Sequence, residues 1–155
     1  MNELKVEIVQ LAPMRVICAR GYGEAPELLA QAKILDLAKS KGLLRMSPPP
    51  RFFGFNNPDP HPGSPNYGYE YWMTADDSVQ PEGDLEAKQF EGGLYAVVEC
   101  KDVRKIPETW QAFMNWLEGS RYSMAQHQWL EEHVKFIDLP VEEYEMRLYL
   151  PIAEK

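Results

Sequence analysis

The chain has 155 residues, of which 45% are hydrophobic and 26% charged, and 24 acidic against 16 basic side chains leave a formal charge of -8. That length and composition describe one folded domain, residues 1–155, and exclude a disordered chain. The charge argues against direct binding of nucleic acid, which needs clustered Lys and Arg, and tilts the field toward organic cations.

Taken in order, residues 3–11 alternate as a strand through Leu4, Val6 and Ile8, and residues 14–20 form a more continuous apolar strand. Pro26 suits the first position of a helix, where a missing N–H costs little. Leu28, Leu29, Ala32, Leu35 and Ala38 recur at three- and four-residue steps as its apolar face, and Gly42 stops it. The aromatic-rich stretches 51–56 and 67–75 read as strands. Between them lies NPDPHPGSPN, residues 57–66, whose four prolines and one glycine cannot join a sheet ladder. The segment 44–50 is proline-rich and extended. Residues 85–91 and 93–101 look like a hairpin turning at Gly92-Gly93. Pro107 opens a second helix with Trp110, Phe113, Met114 and Leu117 on its apolar face, ended by Gly119. Residues 128–136 and 143–150 supply the last two strands.

These elements repeat. A shift of 79 positions lays Gln10-Leu11 on Gln89-Phe90, Val16-Ile17-Cys18 on Tyr95-Ala96-Val97, and Ile34 and Leu37 on Phe113 and Trp116. The expected fold is therefore α+β. Duplicated β-β-α-β-β modules, residues 3–76 and 84–151, are related by a pseudo-twofold and form an antiparallel sheet. Two helices lie on one face, with a cleft between the halves.

Two clusters point to chemistry. Alternation along a strand puts Phe53 with Phe55 on one side, and Tyr67, Tyr69 and Tyr71 together on one side of the next strand. Buried phenols need hydrogen-bond partners, which a ligand groove supplies more readily than a dry core. In 128–136, Trp129, Glu131 and His133 share one side, and Leu130, Glu132 and Val134 the other. A carboxylate set among rings meets a lipophilic cation through charge pairing and cation–π contact, and with a raised pKa it can act as an acid or base. His61, His127 and His133 show no metal-ligand spacing with the cysteines, so no metal is expected. No glycine-rich phosphate loop or nucleophile elbow is present, and no cofactor is expected. Cys18 and Cys100 sit in strand-like apolar runs as small buried hydrophobes. The charged start MNELKVEIVQ is unlike a signal peptide, and no apolar run reaches the roughly 18 residues of a membrane span. The expectation is a cytoplasmic chain without membrane contact.

Several stretches together resemble the GyrI-like effector-binding family, whose domain is also found in multidrug-responsive transcription regulators and some AraC-type activators. They are VEIVQLAPMRVICARGYGE, FFGFNNPDPHPGSPNYGYEYWMT, FEGGLYAVVE, IPETWQAFMNWLEGSRYSM, LEEHV and MRLYLPI. The resemblance implies an SHS2-type repeat and recognition of a small organic ligand. The family's central glutamate falls on Glu131, with His133 where a tyrosine is usual. A one-residue shift of register would put Glu132 in its place. Trp129, Phe53, Phe55, Tyr69, Tyr71, Trp110 and Tyr149 are the candidate wall residues. The resemblance also implies an alternative, a hydrolase of reactive electrophilic natural products in which Glu131 works with Tyr69 or Tyr71. A third possibility is a protein-interaction module similar to a gyrase inhibitor, with a protein partner.

Overall fold

The computed structural model describes residues 4–57 and 61–155. The first residue of the expected repeat and part of the proline-rich loop therefore lie outside the described residues. In chain order the elements are β1 (Glu7–Leu11), β2 (Met14–Gly23), α1 (Pro26–Ser40), β3 (Phe52–Asn56), β4 (Tyr67–Thr74), β5 (Glu86–Phe90), β6 (Gly93–Cys100), α2 (Ile106–Glu118), β7 (Tyr122–Met124), β8 (Leu130–Lys135) and β9 (Glu145–Glu154). The architecture is α+β, with antiparallel strands and two helices, and each repeat follows β-β-α-β-β apart from the short inserted β7.

The chain divides into two compact units, Met1–Ala12 with Gly92–Lys155, and Pro13–Glu91. In the first unit the strands run β1-β6-β9-β8, with β7 also on β9, and all pairs are antiparallel. In the second they run β5-β2-β4-β3, again antiparallel. Each unit thus takes a helix and its last strands from one repeat and its opening strand from the other.

This corrects the hairpin expected at Gly92-Gly93. β5 pairs with β2, and β6 pairs with β1. Gly92 and Gly93 have φ of 79° and 150°, a left-handed passage that glycine alone makes cheaply. A Cβ on Gly93 would also sit 2.7 Å from the His127 ring. A two-glycine turn signals a sharp change of direction, and local sequence does not say which strand the chain pairs with afterwards.

Directly opposed residues of antiparallel strands share a face, so the registers sort every side chain. In the first unit Ala96, Val98 and Cys100 of β6 and Leu148, Leu150 and Ile152 of β9 pack with Phe113 and Leu117 of α2. In the second, Gly21 faces α1, because a Cβ there would meet Pro26 O at 2.4 Å and Leu29 Cβ at 3.1 Å. Helix α1 buries Ala30, Ile34, Leu37 and Ala38. Of the expected face, Ala38 is buried and Leu35 half-buried, but Leu28 and Leu29 are 66% and 53% exposed and Ala32 is exposed as well. Apolar residues surround most of this helix, so periodicity alone did not select the stripe. Helix α2 buries Phe113 and Leu117, with Trp110 and Met114 packed beside them, as its sharper pattern indicated.

On the α1 face the Tyr69 ring lies over Gly54, and a Cβ on Gly54 would come within 2.5 Å of that ring. Gly54→Ala is expected to destabilise the fold by about 1–3 kcal/mol, the range for overpacking a well-packed site. Pairing it with Tyr69→Ala should recover most of the loss relative to Tyr69→Ala alone. Denaturant midpoints of the four proteins measure this.

Candidate functional site

Strand β8 is held on β9 with Leu130 opposite Tyr149, Glu131 opposite Leu148, Glu132 opposite Arg147 and His133 opposite Met146. Leu148 belongs to the α2 core, so Glu131 and His133 face α2. Trp129, just before β8, packs against the same core. Its ring lies 5.1 Å from that of Trp110, which stacks on Phe113 at 5.8 Å. The α2 face of the first unit therefore gathers Glu131, His133, Trp129 and Trp110, with Glu131 and His133 half-buried. His133 contacts the Phe136 ring edge-on at 5.3 Å. Burial holds its imidazole down at about 4 against the pull of the Glu132 charge, so it is neutral near pH 7.

The opposite face carries Leu130, Glu132 and Tyr149. Glu132 is buried, at 6% exposure. Tyr149 donates its hydroxyl to Glu132 Oε1 at 2.6 Å. Tyr95 stands edge-on to Tyr149 at 5.6 Å and donates to the Gln128 carbonyl. Burial, with Tyr149 adding to it, pushes the Tyr95 phenol above its ordinary range, so it remains a donor. Adjacent glutamates on one strand thus occupy different environments.

In the second unit Phe53 opposes Trp72 and Phe55 opposes Glu70, while Gly54 opposes Tyr71. Phe53 and Phe55 therefore share a face with Glu70 and Trp72. Tyr69 and Tyr71 share the α1 face, where Tyr67 donates to Glu27 of the helix. The two aromatic sets, each grouped as alternation indicated, lie on opposite faces of this unit. Among the described residues no group of three or more His, Cys, Asp or Glu side chains is arranged to hold a metal ion. None of the described helices is long and apolar enough to cross a membrane.

The family model of Cass2, the integron-associated effector binding protein, matches residues 7–152. The chain belongs to this family. The GyrI-like resemblance names the broader superfamily around it. Among solved structures, the EcmrR C-terminal domain is similar at 15% identity, covering 98% of this chain and 99% of its own, with a TM-score of 0.76. A hydrolase from Listeria innocua is 13% identical, covering 99% and 94%, with a TM-score of 0.70. SAV2435 bound to tetraphenylphosphonium is 12% identical, covering 97% and 94%, with a TM-score of 0.52. At these identities the likeness establishes the fold. No curated protein matches the chain significantly.

This Cass2-family chain also holds a buried carboxylate that the sequence reading passed over. Glu70 is 2% exposed. It accepts from Lys88 Nζ at 3.0 Å, Cys18 Sγ at 3.2 Å, Trp72 Nε1 at 3.3 Å and Asn57 Nδ2, with Arg20 Nε at 3.7 Å. The signal was present: Glu70 is the one charge within YGYEYWM, and alternation sets it opposite the tyrosines. Its partners come from β2, β5 and the loop after β3, and no local pattern joins those to β4. Burial pushes the Cys18 thiol up to about 12, with the Glu70 hydrogen bond and charge adding, so it stays protonated and donates. For Glu70 itself, burial raises the carboxyl. The hydrogen bonds from Lys88, Asn57 and Cys18, with the Lys88 charge, outweigh burial and hold it at about 2 rather than 4.5. A depressed folded pKa contributes stability above the unfolded value, lost as pH falls through the folded one. Glu70→Gln is expected to cost on the order of 2–3 kcal/mol at pH 7. The deficit relative to wild type should shrink as pH drops from about 4.5 toward 2. Urea denaturation at a series of pH values reads it, and a pH-independent deficit would contradict the assignment.

Proposed function

We propose that the chain binds a hydrophobic organic cation on the α2 face of its first unit, with Glu131 as counter-charge and the Trp129–Trp110 pair as wall. The observation that carries this is the β8–β9 register, which sets Glu131 on the face where those two rings meet at 5.1 Å. A half-buried carboxylate on the same face as two indoles favours a large cation by charge and by cation–π contact, worth about 2 kcal/mol when desolvated. The neutral His133 on the same face adds no competing positive charge, and the formal charge of -8 raises the local concentration of cations. The reading agrees with an effector-binding family and with a structural relative bound to a lipophilic phosphonium. Tyr69 and Tyr71 on the α1 face, Phe53 and Phe55 on the Glu70 face, and Tyr149 on Glu132 are the further aromatic candidates.

Isothermal titration with tetraphenylphosphonium and with the uncharged triphenylphosphine oxide tests the charge pairing. Glu131→Gln should weaken the cation by about 10-fold or more and the oxide by less than about 2-fold. Trp129→Ala should weaken both. Equal losses for both ligands in Glu131→Gln would remove the counter-charge role.

A hydrolytic reading has one observation of its own, the Tyr149 hydroxyl within hydrogen-bond reach of the buried Glu132 carboxylate. This is a different pair from Glu131 with Tyr69 or Tyr71. Incubation with an epoxide separates the readings: diol in molar excess over protein supports turnover, and stoichiometric binding alone supports the binding module.

A further inference from the structure

We infer that the second unit carries a separate site for an uncharged, apolar small molecule, in a groove between the start of β2 and the 43–50 segment. The groove has a volume of about 410 Å³ and is walled by Met14, Leu43, Met46, Pro48, Pro50 and Val79. That volume falls in the range of about 300–1,000 Å³ usual for small-molecule sites, and the mainly apolar lining is also usual for them. Leu43 and Val79 are buried, at 7% and 5% exposure, and form the floor. Met46 is 48% exposed at the rim. Methionine walls adapt to ligands of irregular shape.

The polar and charged groups of Arg15, Thr74 and Asp76 along the groove are engaged within the unit, and Ser47 is exposed to solvent. Arg15 Nη1 donates to the Asp76 carbonyl at 2.5 Å, and its Nε lies 3.7 Å from Asp77. The Asp76 carboxylate accepts from the backbone N–H of Ser78 at 2.8 Å and from its hydroxyl. Thr74 Oγ1 accepts from the Arg51 N–H at 2.8 Å, and the N–H groups of Ala75 and Val79 reach the carbonyls of Arg15 and Asp76. A ligand carrying a charge would compete with these bonds. One without charge fills the apolar space and leaves them intact, so recognition rests on buried apolar area. A protein partner fits poorly. A standard interface covers about 800 Å² per side, while among the described residues Met46 is the one exposed large hydrophobic lining the groove. The groove shares no residue with the Glu131 site.

N-phenyl-1-naphthylamine, an uncharged three-ring fluorophore, is the probe. Its emission should rise saturably on titration with the full chain. Met46→Lys places a charge at an exposed rim position without touching the core, and is expected to weaken the probe by about 10-fold. Met46→Leu should stay within about 2-fold of wild type. Binding should persist in Glu131→Gln and at saturating tetraphenylphosphonium, so failure of the Glu131 proposal leaves this result readable. Absence of a saturable signal, equal affinity of Met46→Lys and wild type, or displacement of the probe by the phosphonium would each overturn the second site.

Discussion

The pairing of β8 with β9 decides which glutamate shares a face with Trp129 and Trp110. Because side chains alternate, a shift of one residue would exchange Glu131 with Glu132 and send Trp129 to the other face. The register is visible at Leu130, Glu131 and Glu132. Leu130 is fully buried opposite Tyr149, the Tyr149 hydroxyl is bonded to Glu132 at 2.6 Å, and Glu131 lies opposite Leu148 of the α2 core. The Tyr149–Glu132 bond is the specific one. It gives a buried carboxylate a hydrogen-bond donor on its own face of the sheet, and burying a carboxylate without hydrogen bonds is expensive. Fixing Glu132 in this way fixes Glu131 on the face of Trp129 and Trp110.

Glu70 and Glu131 sit in different surroundings. In the second unit Glu70 is matched by Lys88 and Arg20 and bonded by Cys18, Trp72 and Asn57. Its charge is neutralised where it stands, and the cluster ties β2, β4 and β5 together across their shared face. Hydrogen bonds to the carboxylate outweigh its desolvation, and removing one partner would leave a buried charge uncompensated. Glu131 is half-buried, on a face with two indoles and a neutral imidazole. That environment suits a bulky cation better than a compact hydrated one, because rings replace the water such a cation sheds with little loss.

Much of this was legible in the chain. The strand alternation of Phe53 with Phe55 and of Tyr69 with Tyr71, and the split of Glu131 from Glu132, follow from period-2 geometry, which is local. What failed was non-local. Gly92-Gly93 marks a change of direction, yet β5 and β6 pair with β2 and β1 rather than with each other. Pairing partners depend on the energetics of the assembled sheet. Helix α1 is apolar on several sides, so Leu28 and Leu29 matched a helical period as well as Ala30 and Ile34 did, and packing on β2 decided between them. Glu70 was visible as a charge among rings, but Lys88, Cys18 and Arg20 reach it only through the folded registers. The resemblance to effector-binding domains rested on six stretches of sequence in order, and the Cass2 family match over residues 7–152 supports it.

The central claim is that Glu131, and not Glu132, meets the ligand together with Trp110 and Trp129. Side-chain NMR of the intact chain titrated with tetraphenylphosphonium reads all four groups at once. The account requires the Glu131 carboxyl carbon and the indole N–H signals of Trp110 and Trp129 to shift and saturate together, while the Glu132 carboxyl carbon stays in place. Movement of Glu132 with Glu131 and both indoles unchanged would contradict it.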